Sequence, residues 1–332
     1  MSVDVDDAPV TSTVTITPGG ELEFVTVVER RDELAEGVVA LTLVSATGAE
    51  LPAWSAGAHI DLVLDDGMVR QYSLCGDPDD RTRMRVAVLR EAAGRGGSIQ
   101  LHDHVREGST LTVRGPRNHF ELVEAERYVF VAGGIGVTPI LPMIESAERR
   151  GRPWRLYYGG RSRASMAFVE ELEARSGAVS VLPADETGLL PLADILVDAG
   201  TAAIYCCGPE ALLTAIEAEC GARGLTQLRT ERFAPRMVEV DGPDGEFEVE
   251  LAQTGLTLRI GADESILDVL EREGVPMDSS CRDGTCGSCE TGVLEGEPDH
   301  RDSVLTPQEQ EESATMLVCV SRCRGRRLLL DL

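Results

Sequence analysis

A short loop near the C-terminus places three cysteines close together in the sequence. Cys281, Cys286 and Cys289 stand in the run CRDGTCGSC, and Cys319 follows downstream in the apolar run MLVCVS. The spacing C-x4-C-x2-C with a distant fourth cysteine is that of four thiolates that hold a plant-type [2Fe–2S] cluster. The C-terminal part of the chain must therefore fold so that a distant strand meets this loop.

A zinc site and ordinary buried thiols are the two other interpretations of these cysteines. Structural zinc sites usually pair two C-x2-C-like knuckles, whereas this segment contains one such pair. Ordinary buried cysteines would not crowd into a loop that also contains Gly284 and Gly287, which permit positive φ angles and close backbone approach. The pattern favours the iron–sulfur cluster, and Cys323 stays open as an alternative to Cys319 for the fourth ligand.

Composition limits the classes of protein that this chain can belong to. With 332 residues, 42% of them hydrophobic and 27% charged, it is typical of a globular protein with two or three domains. Nine cysteines, with no secretory signal and no long apolar run, predict thiolate ligands in a cytoplasmic protein. The net charge of −26 argues against nucleic acids and membranes as partners, since both are polyanions.

The hydrophobic pattern changes twice along the chain. Short alternating runs such as EFVTVVER predict an antiparallel β-barrel, and apolar strands alternating with helices then predict a doubly wound parallel α/β sheet. We expect a disordered leader 1–20, a barrel domain 21–124, an α/β domain 125–233, a linker 234–246 and a small α+β domain 247–332. The expected helices cover 98–104, 138–150, 166–175, 191–197, 209–223 and 265–272, the last one capped by Ser265 or Asp263.

The run Arg70-Gln-Tyr72-Ser73-Leu74 ends one of the predicted barrel strands. An aromatic ring can lie against an isoalloxazine ring, a hydroxyl can approach the reactive N5 atom, and a cation can pair with a phosphate. Alone, the run is equally compatible with an ordinary strand edge.

A second run in the same segment is Gly94-Arg95-Gly96-Gly97-Ser98, which opens the predicted barrel helix. Glycine amides, a hydroxyl and a helix N-terminus together form a phosphate cradle, although a flexible turn is the simpler alternative. Both runs in one barrel favour flavin binding more than either run alone.

Two strand-to-helix turns in the α/β segment contain glycine. One is the run GGIGVTP with Gly134, Thr138 and Pro139, and the other is Cys206-Cys207-Gly208-Pro209. Neither matches G-x-G-x-x-G, and either could be a tight turn without a ligand. Two such turns at the carboxyl ends of parallel strands nevertheless predict a dinucleotide crevice.

The order of these motifs resembles the phthalate dioxygenase reductase and vanillate O-demethylase reductase family, in which a ferredoxin–NADP⁺-reductase-like unit is fused to a C-terminal plant-type ferredoxin domain of β-grasp fold. The runs RQYSL, GRGGS, PRNHFEL, GGIGVTP, CCGP, ERF and CRDGTCGSC match from Leu22 to Leu332. The resemblance implies an FMN-binding barrel domain, an NAD-binding α/β domain and a [2Fe–2S] domain. It also favours Cys319 over Cys323.

Residue roles follow from the resemblance. Ser73, Cys207 and Phe233 would act at the reacting rings, although Phe233 could equally close the sheet edge. The implied cofactor-binding residues are Arg70, Tyr72, Ser73, Leu74, Arg95, Gly96, Gly97 and Ser98 for FMN, and Gly134, Thr138, Pro139, Arg161, Arg163, Cys207, Gly208 and Pro209 for the dinucleotide.

Arg161 and Arg163 could bind a 2′-phosphate, but relatives with a similar R-S-R run generally prefer NADH, and we expect NADH. The five histidines have no metal-ligand spacing and lie far from the cysteine loop in sequence, so we do not expect them to be metal ligands.

The resemblance implies a monomeric reductase that passes electrons from NADH through FMN and the [2Fe–2S] cluster to a terminal oxygenase. A Rieske-type aromatic oxygenase or O-demethylase is the expected partner, and a cytochrome P450 is the alternative. A redox-sensing protein with the same cofactors is a further alternative, which predicts slow or absent reduction of artificial acceptors.

Overall fold

The computed structural model describes residues 14–17, 20–64, 67–175, 178–197, 199–236 and 244–332. Its strands form three large sheets, which come from three successive stretches of the chain. Within the described ranges no helix is long and apolar enough to cross a membrane.

The first sheet is antiparallel and encloses a hydrophobic core. Its strands are β1 (Thr15–Ile16), β2 (Leu22–Ala35), β3 (Val38–Ser45), β4 (His59–Val63), β5 (Val69–Ser73), β6 (Arg83–Leu89) and β7 (Thr110–Arg117). They lie in the order β5-β4-β7-β2-β3-β6, and a bridge between Leu74 and Val86 joins the two outer strands, so that the sheet curls on itself like a barrel. Helix α1 (Gly97–His104) confirms the predicted barrel helix to within one residue.

The predicted disordered leader was wrong for residues 15 and 16. Thr15 pairs with Glu23 and Ile16 with Leu22, which makes this short segment an edge strand of the barrel. The alternating β-branched residues of the run TVTIT explain the pairing, because they favour extended backbone. Residues 1–13, 18 and 19 of the predicted leader lie outside the described residues.

The second sheet is parallel, and its strands are β8 (Tyr128–Gly133), β9 (Trp154–Gly160), β10 (Val179–Pro183), β11 (Ala203–Cys207) and β12 (Leu228–Glu231). Their spatial order is β10-β9-β8-β11-β12, so the winding direction reverses between β8 and β11. Every residue of β8 and β11 is buried, as expected for a sheet covered on both faces. Phe130 packs on the face towards the barrel and Val131 on the opposite face.

Helices cover the parallel sheet, and several begin later than expected. They are α2 (Ile140–Arg149), α3 (Val169–Glu173), α4 (Ala184–Thr187), α5 (Leu192–Val197) and α6 (Glu210–Arg223). A short 3-10 turn, Gly134–Val137, precedes α2 because Pro139 occupies its N-cap and cannot donate a backbone hydrogen bond. Helix α3 begins only after Phe168, whose φ of 62° interrupts the expected longer helix.

The third sheet belongs to the cysteine-containing segment. Its strands are β13 (Phe247–Leu251), β14 (Thr257–Ile260), β15 (Glu290–Glu295), β17 (Thr315–Leu317) and β19 (Arg327–Leu330), and β16 (Pro298–Asp299) pairs separately with β18 (Arg322–Cys323). Two helices, α7 (Ile266–Arg272) and α8 (Pro307–Glu312), accompany them. Ser265 caps α7 through a capping box, which confirms one of the two predicted caps.

Most of the predicted linker, residues 237–243, lies outside the described residues. At its C-terminal end, the Asp244 carboxylate accepts two hydrogen bonds from Arg301, at 2.9 and 2.6 Å. This ion pair fixes the entry of the chain into the third sheet.

Candidate active site and metal centre

The four predicted ligand cysteines are brought together by the fold. Cys281, Cys286 and Cys289 are each 2% exposed, and Cys319 is 7% exposed. The Cys281 thiol lies within hydrogen-bonding reach of the thiols of Cys286 and Cys319, and the Cys319 thiol also lies within reach of that of Cys289. Four adjacent buried thiols fit a [2Fe–2S] cluster, which takes four cysteine ligands.

The loop backbone is shaped around these thiols. The amides of Asp283 and Thr285 both point at the Cys281 sulfur, at 3.4 Å, and hydrogen bonds of this kind tune a cluster's reduction potential. Gly284 has a φ of +74°, and a Cβ there would lie 2.7 Å from the Val320 side chain. The sequence-based expectation for this glycine is confirmed.

Cys323 lies apart from the four clustered thiols. Its sulfur contacts the Arg327 carbonyl oxygen at 3.6 Å and the Gly325 amide at 3.3 Å, on strand β18. The position of Cys319 beside Cys289 makes it the better fourth ligand.

A second cluster of functional groups lies where the barrel meets the parallel sheet. Ser73 ends strand β5, Cys207 ends β11 and Glu231 ends β12. The Cys207 sulfur lies 3.9 Å from the Glu231 carboxylate. The Ser73 hydroxyl is buried and lies close enough to the Glu231 carboxyl to affect its pKa. We call these three residues the hydride site, for the role that we propose for them.

Both acidic groups of the hydride site hold their protons at neutral pH. Desolvation raises the pKa of Glu231 to about 8, although the Cys207 thiol and the Ser73 hydroxyl oppose the rise. Desolvation and the adjacent carboxyl of Glu231 raise the pKa of Cys207 well above its usual value. The site is therefore neutral and polar.

Sequence reasoning missed Glu231, which appeared only as the first letter of ERF. A lone acid in a strand is usually solvent-exposed, and nothing nearby in sequence marked this one. The available signal was its place at the carboxyl end of a parallel strand, one strand over from Cys207.

The residues of the predicted phosphate cradle lie at the start of helix α1, as expected. Gly96 has a φ of +87° at the N-cap of α1. A Cβ on Gly97 would lie 2.6 Å from the Arg70 side chain, so Gly97 allows that close approach. The Ser98 hydroxyl accepts a hydrogen bond from the Glu91 amide at 3.0 Å, which fixes it at the mouth of the cradle.

Arg95 points away from the glycines that precede α1. Its guanidinium donates to the Cys281 carbonyl oxygen at 3.2 Å and to the Asp283 carboxylate at 3.0 Å. A carbonyl and a carboxylate on the cluster loop together attract this side chain. The structure thus places the Arg95 guanidinium on the cluster loop, where sequence reasoning had expected it at a phosphate.

The two glycine turns of the parallel sheet meet at its topological switch point. A Cβ on Gly136 would lie 2.3 Å from the Cys207 carbonyl oxygen, and one on Gly208 would lie 3.0 Å from Gly133, so these glycines allow the turns to pack. Gly134 instead faces open space with a φ of +55°. The crevice between β8 and β11 is where open α/β sheets bind dinucleotides.

The remaining predicted residues of this crevice differ in accessibility. Thr138 is 2% exposed, and its hydroxyl donates to the Ile135 carbonyl oxygen at 2.9 Å. Phe233 is 47% exposed, so its ring does not close the sheet edge as a buried residue. Arg163 forms an ion pair with Glu173, whereas the exposed Arg161 has no ion pair among the described residues.

Two histidines that are distant from the cluster loop in sequence lie against it in the fold, which sequence reasoning did not foresee. The His59 ring lies beside the Cys286 backbone carbonyl. The His119 ring lies so close to Gly287 that a Cβ there would be 2.1 Å from its Nε2 atom. Barrel folding brings together residues that are distant in sequence.

The comparisons with known proteins agree with this arrangement. Residues 249–324 match the family of 2Fe-2S iron-sulfur cluster binding domains. The phenoxybenzoate dioxygenase subunit beta of Ectopseudomonas oleovorans is 43% identical over 301 residues, which are 90% of this chain and 94% of that protein. The solved structure of phthalate dioxygenase reductase is 35% identical with a TM-score of 0.68, and the match covers 95% of this chain and 100% of that one.

An intact type IV self-sufficient cytochrome P450 monooxygenase is also similar, with 42% identity and a TM-score of 0.87. That match covers 93% of this chain but 41% of the longer one, so the similarity concerns one part of that enzyme.

The fold and the two sites define an oxidoreductase with a ferredoxin-reductase-like unit and a C-terminal [2Fe–2S] domain. More narrowly, the chain belongs to the phthalate dioxygenase reductase-like family, as the motif order indicated. Its relatives include the reductase subunits of the toluene-4-sulfonate monooxygenase system of Comamonas testosteroni and of phthalate 4,5-dioxygenase of Pseudomonas putida.

Proposed function

We propose that this protein oxidises NADH and delivers the electrons one at a time, through FMN and the [2Fe–2S] cluster, to a terminal oxygenase. NADH gives two electrons as hydride, FMN accepts the hydride and releases single electrons, and the cluster accepts one at a time. The main support is that the barrel contacts the four-cysteine loop and also contributes Ser73 to the hydride site.

The hydride site provides a neutral, oriented environment. The buried Ser73 hydroxyl lies at the end of strand β5 beside Glu231, where it would hydrogen-bond the flavin. Cys207 and Glu231 are both protonated at neutral pH, so they place no negative charge where hydride must arrive. Phe233, half exposed just beyond Glu231, is the ring that we propose covers the flavin.

The phosphate-binding roles fall to the two glycine-rich turns. Gly96, Gly97 and Ser98 at the start of α1 would hold the FMN phosphate, with Arg70 packed against Gly97. Gly134, which faces open space at the switch point, would let the dinucleotide pyrophosphate approach the backbone. Thr138 and Pro139 would shape this turn from inside.

We propose NADH as the coenzyme because of the ion pair between Arg163 and Glu173. A guanidinium engaged by a carboxylate is less available to a 2′-phosphate, and Arg161 alone would be a weak phosphate reader. NADPH should therefore be used less efficiently than NADH.

We propose a Rieske-type aromatic oxygenase as the first candidate partner and a cytochrome P450 as the second. The first is supported by the relative named for phenoxybenzoate dioxygenase, and the second by the similar part of the self-sufficient P450. Anaerobic mixing of the NADH-reduced protein with a representative of each class would distinguish them. Faster reduction of the P450 haem than of the Rieske centre would reverse the order.

Acceptor assays test the relay itself. The purified protein should contain flavin, iron and sulfide, and NADH should support rapid reduction of both ferricyanide and cytochrome c. A redox sensor with the same cofactors would reduce both acceptors slowly or not at all, and zinc in place of iron and sulfide would contradict the proposal.

A further inference from the structure

The barrel contacts the cluster loop, residues 281–289, and the residue just before it. Gln71 on strand β5 hydrogen-bonds Ser280, just before the loop. Arg95 binds the carbonyl of Cys281 and the carboxylate of Asp283 near its start. These contacts join the strand that ends in Ser73 to the segment that contains the cluster ligands.

His119 covers the second half of the loop. Gly287 is buried, with a φ of +75°, and an added Cβ would lie 2.1 Å from Nε2 of the His119 ring. Apart from Gly287 and its two chain neighbours, the three heavy atoms nearest to that Cβ position all belong to His119. The barrel, and not the loop's own domain, therefore leaves Gly287 no room for a side chain.

His59 connects the two sites from inside the barrel. It pairs in register with Ser73 on β5 and with Arg117 on β7, so its side chain lies on the same face as that of Ser73. The ring is 6% exposed and lies beside the Cys286 carbonyl, and its centroid is 6.0 Å from that of His119. His59 thus neighbours Ser73 in the sheet, while both histidine rings lie near the cluster loop.

We propose that His59 and His119 are positioning residues that hold the cluster loop against the flavin-binding face of the barrel and thereby set the rate of flavin-to-cluster electron transfer. The inference rests on the proposed function. One electron leaves the flavin and enters the cluster, and no bond forms or breaks at either histidine.

A double-mutant cycle tests the His119 contact without relying on turnover. Gly287→Ala should loosen the cluster loop, because the new methyl group meets the His119 ring, and His119→Ala should remove that clash. The cost of the positive φ is the same in both backgrounds and cancels in the cycle. Hydrogen–deuterium exchange of loop amides should therefore rise in Gly287→Ala and return towards the level of His119→Ala in the double variant.

Gly284→Ala is the matched control for this cycle. Its methyl group would meet Val320 inside the ferredoxin segment, so His119→Ala should not rescue it. Equal rescue of both glycine variants, or of neither, would overturn the proposed contact.

Stopped-flow absorbance tests the consequence for electron transfer. In His59→Leu and His59→Asn, flavin reduction by NADH should keep the wild-type rate. Cluster reduction should slow severalfold, because a loosened loop no longer holds the cluster firmly against the barrel. His104→Asn, at the exposed end of α1, is the control and should change neither rate.

The outcomes separate this inference from the proposed function. If NADH reduces the flavin but never the cluster in the wild-type protein, the relay itself is wrong. If the wild-type relay works and both His59 variants reduce the cluster at the wild-type rate, only the positioning role is wrong. An unchanged EPR spectrum after dithionite reduction would show that the cluster itself is intact in the variants.

Discussion

The cluster loop and the hydride site both bring functional side chains together in a buried place. Their residues are distributed along the chain in opposite ways. Three of the four cluster cysteines lie in one loop, and the amides of that loop point at a ligand sulfur. The three residues of the hydride site come from the ends of β5, β11 and β12. A locally encoded site can be recognised from spacing alone, whereas the hydride site exists only after two domains have packed.

The two sites also differ in charge. The four cysteine thiols of the cluster site must lose their protons to bind iron. Metal binding is therefore part of the folding of that segment. Cys207 and Glu231 in the hydride site keep their protons at neutral pH because burial disfavours their charged forms. Changes at one site should therefore leave the other largely intact.

The largest expected effect comes from breaking the cluster site. Cys289→Ser removes one member of the thiol pair formed with Cys319, so cytochrome c reduction should be lost while NADH-to-ferricyanide activity largely persists. Cys323→Ser, outside the thiol cluster, should retain both activities. Steady-state assays with the two acceptors measure this, and loss of both activities in Cys289→Ser would argue against a linear relay.

The next largest effect comes from the hydride site. Ser73→Ala removes the buried hydroxyl, and flavin reduction by NADH should slow roughly ten- to a hundredfold, in the range of a lost preorganised donor. The cluster EPR signal after dithionite reduction should not change. Ser45→Ala, on a distant barrel strand, serves as the control, and an unaltered flavin reduction rate in Ser73→Ala would exclude the proposed role.

A several-fold effect is expected from pH. The pKa of Glu231 is about 8 in the folded protein, so the carboxyl is neutral below that pH and becomes charged above it. Flavin reduction should slow as pH rises through 8, and Glu231→Gln should flatten this dependence.

The free energy of unfolding should also depend on the protonation of Glu231. Because its folded pKa exceeds the unfolded value, the contribution of Glu231 is complete below the unfolded pKa and is lost as pH rises through about 8. Thermal melting of Glu231→Gln should thus vary less between pH 5 and pH 9 than that of the wild type. Parallel pH profiles for the two proteins would contradict this assignment.

The smallest expected effect concerns the coenzyme. Glu173→Gln releases Arg163 from its ion pair, and kcat/KM for NADPH relative to NADH should rise a few-fold, as expected for one exposed charge pair. Glu170→Gln on the same helix α3 is the matched control. An unchanged ratio of kcat/KM for NADPH to that for NADH would indicate that Arg163 does not face the 2′ position.

The features that were predicted correctly from the sequence are those that depend on local residue patterns. The four cysteines, the glycines of the cluster loop and the strand-helix alternation of the parallel sheet follow from spacing and periodicity. The shortened start of α2 was harder, because the 3-10 turn before Pro139 satisfies backbone groups that a helix pattern assigns to the helix.

What the sequence could not predict depends on packing between domains. Glu231, His59 and Arg95 have ordinary sequence surroundings, and their environments arise from partners more than a hundred residues away or on neighbouring strands. Arg95 shows this most clearly, because its sequence context favours a phosphate while its guanidinium binds the cluster loop.

The most direct test of the whole account is an EPR spectrum recorded at low temperature after anaerobic addition of NADH to the purified protein. The account predicts a reduced [2Fe–2S] signal, which requires that electrons entering at the hydride site reach the four-cysteine loop. Bleached flavin absorbance without a cluster signal, in protein whose cluster dithionite can still reduce, would contradict the connection between the two sites.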